Sequence, residues 1–97
     1  MTQALEDVRS AYQAGRYAEV TQLVGLSVDL QTAPPELHTE ALKLQAFSYC
    51  LLNDAARCKR SFDRLLNRYP AFDLAAAESR HPMWGPVFQQ AKNEAGS

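Results

Sequence analysis

Residues 42–70, LKLQAFSYCLLNDAARCKRSFDRLLNRYP, decide the fold: they read as two helices folded back on each other about a turn at Asn53-Asp54. At about 100° per residue, Ala55, Cys58, Phe62, Leu65, Leu66 and Tyr69 of the second helix share roughly a third of the wheel, and Arg57, Arg60, Arg64 and Arg68 lie opposite them. One face is predicted to be buried and the other to be basic. The preceding helix, over residues 37–52, differs in kind. Leu37, Ala41, Leu42, Leu44, Ala46, Phe47, Tyr49, Cys50, Leu51 and Leu52 point in nearly every direction. A helix apolar all round but too short to span a bilayer is normally sandwiched between other helices, which makes this the middle helix of the domain.

Ala46, Tyr49, the turn at Asn53-Asp54, then Cys58, Phe62, Leu65 and Pro70 resemble the tetratricopeptide repeat (TPR), a helix-turn-helix unit. Ala46 and Cys58 are small where the two helices approach, Tyr49 and Phe62 fill the space beside them, and Pro70 cannot continue a helix. Leu65 departs from the family's preference for Ala, and Leu42 stands where the family often has Trp.

Working outward toward the N-terminus, Leu5, Val8, Ala11 and Tyr12 have helical spacing, with Glu6 and Asp7 in the first turn where carboxylates suit the helix dipole. Gly15-Arg16-Tyr17 breaks that helix, and Val20, Leu23, Val24 and Ser27 carry a second one. Gly15 aligns with Asn53 and Val20 with Cys58 at one offset of 38 residues, so residues 1–30 read as a degenerate first copy of the unit. Gly25 inside its second helix costs about 1 kcal/mol against Ala. A Pro-rich loop, residues 31–36, separates this copy from the second at 37–70. Its prolines forbid a helix before them and are tolerated in a first turn, with Glu36 favourably placed near the new N-terminus.

Beyond Pro70, residues 71–85 are expected to run extended, the conformation of AAAESR being left open, and residues 86–95 to form a final helix with Pro86 in its first position. Trp84, Val87, Phe88 and Ala91 then recur at helical spacing, a stripe suited to cap the exposed apolar face of the preceding hairpin. The stretch 69–92 is similar to the segment following the last repeat in some bacterial envelope-associated helical-repeat proteins. The expected architecture is a single all-α domain: two TPR-like antiparallel helical hairpins plus a C-terminal capping helix. The resemblance implies a fragment of a right-handed α-α superhelix.

Ninety-seven residues suffice for one modest core. The hydrophobic fraction of 46% and net charge of −1 belong to an ordinary globular chain rather than a disordered one. No apolar run reaches membrane-spanning length, and MTQALEDVRS lacks the features of a signal peptide, so the expectation is cytoplasmic, or periplasmic and envelope-associated for a domain cut from a longer protein. Charge is unevenly spread: residues 1–40 hold two Arg against six acids, residues 41–68 six Lys or Arg against two Asp. Such polarity suits head-to-tail contacts or an acidic partner, and falls short of the strongly basic composition of a dedicated nucleic-acid binder. Cys50 and Cys58 sit on facing helices and make no metal spacing with His38 or His81; they read as reduced, small core residues, or as a disulfide if their Cβ atoms come within about 4 Å.

No phosphate loop, GxSxG, HExxH or CxxC occurs, so neither catalytic residue, metal nor cofactor is expected. Two surfaces remain. In TPR arrays the first helices of successive repeats line a concave groove for a peptide or partner helix. The resemblance places Leu5, Arg9, Tyr12 and Gln13, then Lys43, Phe47, Cys50 and Leu51, in that lining, unless Phe47 and Leu51 are core covered by Phe72, Leu74 or the last helix. The second surface is the stripe Arg57, Arg60, Arg64, Arg68, either a solvated outer face or a docking strip for an acidic partner, a phosphate or an RNA backbone. The resemblance thus implies a protein–protein interaction module, an adaptor, scaffold or secretion-type chaperone. The alternatives are an acidic-surface or nucleic-acid binder using the arginine stripe, and a structural module that forms a homo-oligomer.

Overall fold

The computed structural model describes residues 2–95, which form seven helices and no strand. These are α1 (Thr2–Gln13), α2 (Tyr17–Leu26), α3 (Val28–Gln31), α4 (Pro35–Leu51), α5 (Ala55–Arg68), α6 (Ala76–Ser79) and α7 (Gly85–Ala95). Helix α4 is central, as its all-round apolar surface requires. It packs against α5 on one side and α2 on another, and also meets α1 and α3. Ala41, Leu42, Leu44, Ala46, Phe47 and Cys50 are all buried, and they point in different directions around its axis.

Helices α4 and α5 run antiparallel, as three cross-helix pairs demonstrate. Cys50 meets Cys58, Phe47 meets Phe62 and His38 meets Tyr69, so the residue number falls along α4 as it rises along α5. Cys58, Phe62, Leu65 and Leu66 of α5 are buried as the wheel requires, whereas Ala55 at the edge of that face is exposed. The expectation of two reduced thiols is corrected here. Cys50 and Cys58, both buried, are joined in a disulfide with 5.2 Å between their Cα atoms. The short turn at Asn53 brings the end of one helix beside the start of the next, close enough for the sulfurs to meet.

The turns after α1 and α4 match bond for bond. Gly15 and Asn53 both take left-handed φ, at 79° and 63°. Arg16 N–H donates to Ala11 C=O and Asp54 N–H to Tyr49 C=O, each at 2.9 Å; Gly15 N–H donates to Tyr12 and Asn53 N–H to Cys50. Both are Schellman motifs, in which a left-handed residue lets the chain turn back to satisfy the last helical carbonyls. The offset of 38 residues therefore holds in the backbone as well as in the sequence.

Several boundaries differ from expectation. The second helix of the first hairpin stops at Leu26; Ser27 turns extended and its hydroxyl accepts from Leu30 N–H at 3.2 Å, capping the single turn α3. The Pro-rich loop shortens to residues 32–34, with Pro35 opening α4. The span 71–85 is not extended throughout: Glu78 accepts from Ala75 N–H at 3.2 Å and closes the short helix α6. Helix α7 then begins at Gly85, where a Cβ would lie 2.4 Å from the Ser79 carbonyl oxygen, so glycine is what lets α7 start against α6. Phe88 of α7 packs edge-on against Phe62, ring centroids 5.1 Å apart, and covers the apolar face of α5. Among the described residues no helix is long and apolar enough to cross a membrane.

Candidate functional site

The expected concave lining divides in two. Leu5, Phe47 and Cys50 are inside the core, at 1%, 2% and 3% exposure, so their assignment to an open groove is corrected. The ring of Trp84, the residue before the last helix and the first of its expected stripe, stacks on Phe47 at 3.8 Å and 9°. His81 stacks in turn on Trp84 at 3.5 Å, and Trp84 Nε1 donates to the Glu78 carbonyl at 2.8 Å. Lys43 is held by Glu78 at 2.8 Å. The segment from α6 to Trp84 thus lies over this part of α4, and its side chains take up contacts that a groove would offer a partner.

Arg9, Tyr12, Gln13 and Leu51 remain at or near the surface. Arg9 clamps Glu40 with two guanidinium nitrogens, Nη2 at 2.8 Å, and the hydrogen bonds and charge of Glu40 hold the guanidinium pKa above its ordinary value. The same contact pulls the Glu40 carboxyl below its ordinary range, against the opposing effect of burial. Tyr12 is half-buried between Tyr17 and Phe47, and burial, with smaller contributions from Tyr17 and Glu78, pushes its phenol up to about 12. These groups satisfy one another, and the first hairpin and α4 are tied together through them.

The arginine face is arranged differently. Arg57, Arg60, Arg64 and Arg68 are all exposed. Arg57 is paired with Asp54 at 2.8 Å, while Asp54 caps α5 by accepting Arg57 N–H; that backbone hydrogen bond and then the side-chain one lower its carboxyl pKa. Arg60, Arg64 and Arg68 form no ion pair among the described residues, and Arg68 rests over the Tyr69 ring at 5.4 Å. Beneath them lie two depressions. One, of about 140 Å³, is bounded by Gln45, Tyr49, Ser61 and the arginines 57, 60 and 64. The other, of about 220 Å³, has Val24, Leu30 and Leu42 as its apolar floor and His38, Arg64 and Arg68 on its rim. Gln45 and Arg64 border both, so the two adjoin in a trough over α4 beside α5, the larger depression reaching across to α2 and α3.

Side chains from three helices hold the trough in shape. Gln45 is buried in α4 and donates to the Thr21 carbonyl of α2 at 3.2 Å. His38 Nδ1 and the Tyr69 hydroxyl share a hydrogen bond of 2.7 Å, closing one end. Burial first, and the charge of Arg68 second, lower the His38 pKa, so the imidazole is kept neutral beside the arginines. His38, Gln45 and Tyr49 were not among the expected site residues. Their signal was available: polar groups at 38, 45 and 49, spaced by seven and four along one stripe of an otherwise apolar helix. Among the described residues there is no cluster of three or more His, Cys, Asp or Glu side chains able to hold a metal ion.

Comparison of the chain with protein-family models, with curated proteins and with solved structures finds no match.

Proposed function

We propose that this chain is a protein–protein interaction module, an adaptor or scaffold of two TPR-like hairpins and a capping helix, that receives a partner segment in the trough between α2, α4 and α5. The single observation that carries the reading is a row of three exposed arginines with no acidic partner among the described residues, of which Arg64 and Arg68 border an apolar-floored depression and Arg60 the one adjoining it. Unpaired charge of one sign next to desolvatable apolar surface is what a partner of opposite charge can complement, with charge guiding approach and the apolar contact holding the complex. The matching Schellman turns support the repeat reading, since they place the same backbone device at both hairpin corners. The concave side is a weaker candidate, because α6 and Trp84 already engage Lys43 and Phe47.

The test is affinity capture with the wild-type chain beside two variants whose circular dichroism matches it, Arg60→Glu/Arg64→Glu/Arg68→Glu and Tyr12→Ala/Lys43→Glu. A prey kept by the wild type and the second variant but lost by the first is the expected result. A prey lost only by the second variant returns the site to the concave side.

A second reading has its own observation. Leu26 and Val28, at the kink between α2 and α3, are 82% and 70% exposed, which suits association of the chain with itself. Leu26→Glu/Val28→Glu then converts a concentration-dependent mass in sedimentation into a fixed monomer mass. A wild-type mass that stays monomeric at all concentrations removes this reading.

A further inference from the structure

We infer that the occupant of the trough is an acidic amphipathic helix of a partner protein, with Asp or Glu at i, i+4 and i+8 and one large apolar side chain that enters the depression over Leu30 and Leu42. This rests on the interaction reading above and specifies the chemistry of the same site.

Arg60, Arg64 and Arg68 repeat every four residues along α5, about 6 Å apart along the axis and turning about 40° around it at each step, so they form a gently winding row. A second helix lying beside α5 presents carboxylates at the same interval, so three pairs form in step. A row of arginines alone accepts any polyanion, but the depression at one end of this row is lined by Val24, Leu30 and Leu42. At about 220 Å³ it is smaller than the roughly 300–1,000 Å³ of small-molecule sites, a volume for one side chain rather than a cofactor. A nucleic acid has no flexible aliphatic side chain to place there, and RNA lacks even the thymine methyl. Of the rings at the trough's border, Tyr49 is half-buried, His38 is hydrogen-bonded to Tyr69, and Arg68 already lies over the Tyr69 ring, so none of the three is a free stacking platform. A larger cleft, about 480 Å³, opens between the C-terminal ends of α5 and α7, but its charges are already used. Asp63 and Glu94 both bind Lys59, and Lys92 is held by the carbonyls of Pro70 and Phe72.

The depression can be filled without touching the arginines. Gly25 borders it, and a Cβ there would meet only the Gln45 side-chain nitrogen, at an ordinary 3.7 Å. Gly25→Leu therefore occupies the pocket while adding a better helix former to α2.

The experiment uses fluorescence anisotropy with the full chain and a labelled 16-residue helical peptide carrying Glu at i, i+4 and i+8 and Leu at the anchor position. Three competitors accompany it: the same peptide with the anchor changed to Ser, a peptide of the same composition in scrambled order, and a 15-nucleotide oligouridine. The expected result is binding weakened tenfold or more by Arg64→Ala/Arg68→Ala, by Gly25→Leu and by the Ser anchor, with the scrambled peptide and oligouridine failing to compete. Both variants must first melt at or above the wild-type temperature or within a few degrees below it; Arg64→Lys/Arg68→Lys, which keeps the charge, replaces the alanine pair if that pair does not. Binding indifferent to Gly25→Leu and to the Ser anchor overturns the inference by showing a charge-only surface. Oligouridine competing as well as the peptide overturns it in favour of nucleic acid. Self-association that the arginine variant abolishes makes a second copy the occupant and overturns it likewise. No binding of the peptide while the captured prey still depends on the arginines overturns this inference and leaves the interaction reading standing; loss of both brings down the two together.

Discussion

Ser48 is fully buried in α4, and its hydroxyl finds no hydrogen-bond partner among the described residues. A buried, unsatisfied hydroxyl costs about 1–3 kcal/mol, whereas the methyl group of alanine leaves only a small gap. Ser48→Ala is therefore expected to raise stability by about 1 kcal/mol in urea denaturation; a loss of that size would mean that the hydroxyl is satisfied in solution. His38 is held neutral, with its pKa below the ordinary value through burial and then the charge of Arg68. The unfolded chain then takes up the proton first as pH falls. The stability His38 contributes is fully present above about pH 6.5 and is lost as pH drops through its lower folded value. A His38→Gln variant should show a flatter stability profile between about pH 6.5 and 5 than the wild type; parallel profiles would place the titration elsewhere. Glu40 acts at still lower pH, where protonation releases the clamp from Arg9.

Glycines in two helices respond in opposite ways to the same substitution. Gly25 lies in α2 with room for a methyl group, so Gly25→Ala should stabilise by about 0.5–1 kcal/mol through the helix preference of alanine. Gly85 begins α7 against the Ser79 carbonyl, and Gly85→Ala forces backbone apart, a loss of about 1–3 kcal/mol by thermal melting. The disulfide belongs to the α4–α5 pair. Closing a loop of this size contributes about 2–3 kcal/mol in the chain-entropy account, and both sulfurs are shielded from solvent. Reduction by dithiothreitol should be slow in buffer and accelerate in step with unfolding as urea is added. Rapid reduction of the folded chain would show that the sulfurs are accessible.

These elements also mark how far the sequence could be read. The central position of α4, the two faces of α5 and the paired turns at Gly15 and Asn53 are local: each depends on residues within a helix or a turn, and periodicity or a fixed offset reveals them. The helical stripe that begins at Trp84 pointed to a cap on the preceding hairpin, but no local rule specifies that its ring lands on Phe47, 37 positions away. The same reason explains why Phe47 was placed in a groove. A helix wheel says that a side chain is apolar and which way it faces, but not which distant segment returns to cover it. Pairing of Cys50 with Cys58 depended on how closely the turn draws two helices together, a distance that spacing in the chain leaves open. In the trough, Arg57, Arg60, Arg64 and Arg68 were readable because they repeat. The depression was not, because Val24, Leu30 and Leu42 come from three helices.

At the scale of the whole molecule, the fold hands its two broad sides to different tasks. On one, residues 76–84 fold back over α4 and lock Lys43 and Phe47 into internal contacts. On the other, α2 and α5 stand apart across α4, and the arginines line the gap. The uneven charge of the chain has the same division. Of the acids in the first 40 residues, Glu19 pairs with Arg16 and Glu40 with Arg9, while Arg60, Arg64 and Arg68 have no counterpart among the described residues. Aromatic rings knit the covered side together, from His81 through Trp84 to Phe47, on to Phe62 and Phe88, and out to Phe72. Trp84 is the sole tryptophan in the chain, and it sits at the joint where the returning segment meets the core. The protein accordingly carries its own optical gauge. Light absorbed by this one indole reports whether residues 76–84 are seated: seated, the emission is that of a shielded ring; lifted away, it shifts to the red and becomes open to quenching by iodide, with no label added.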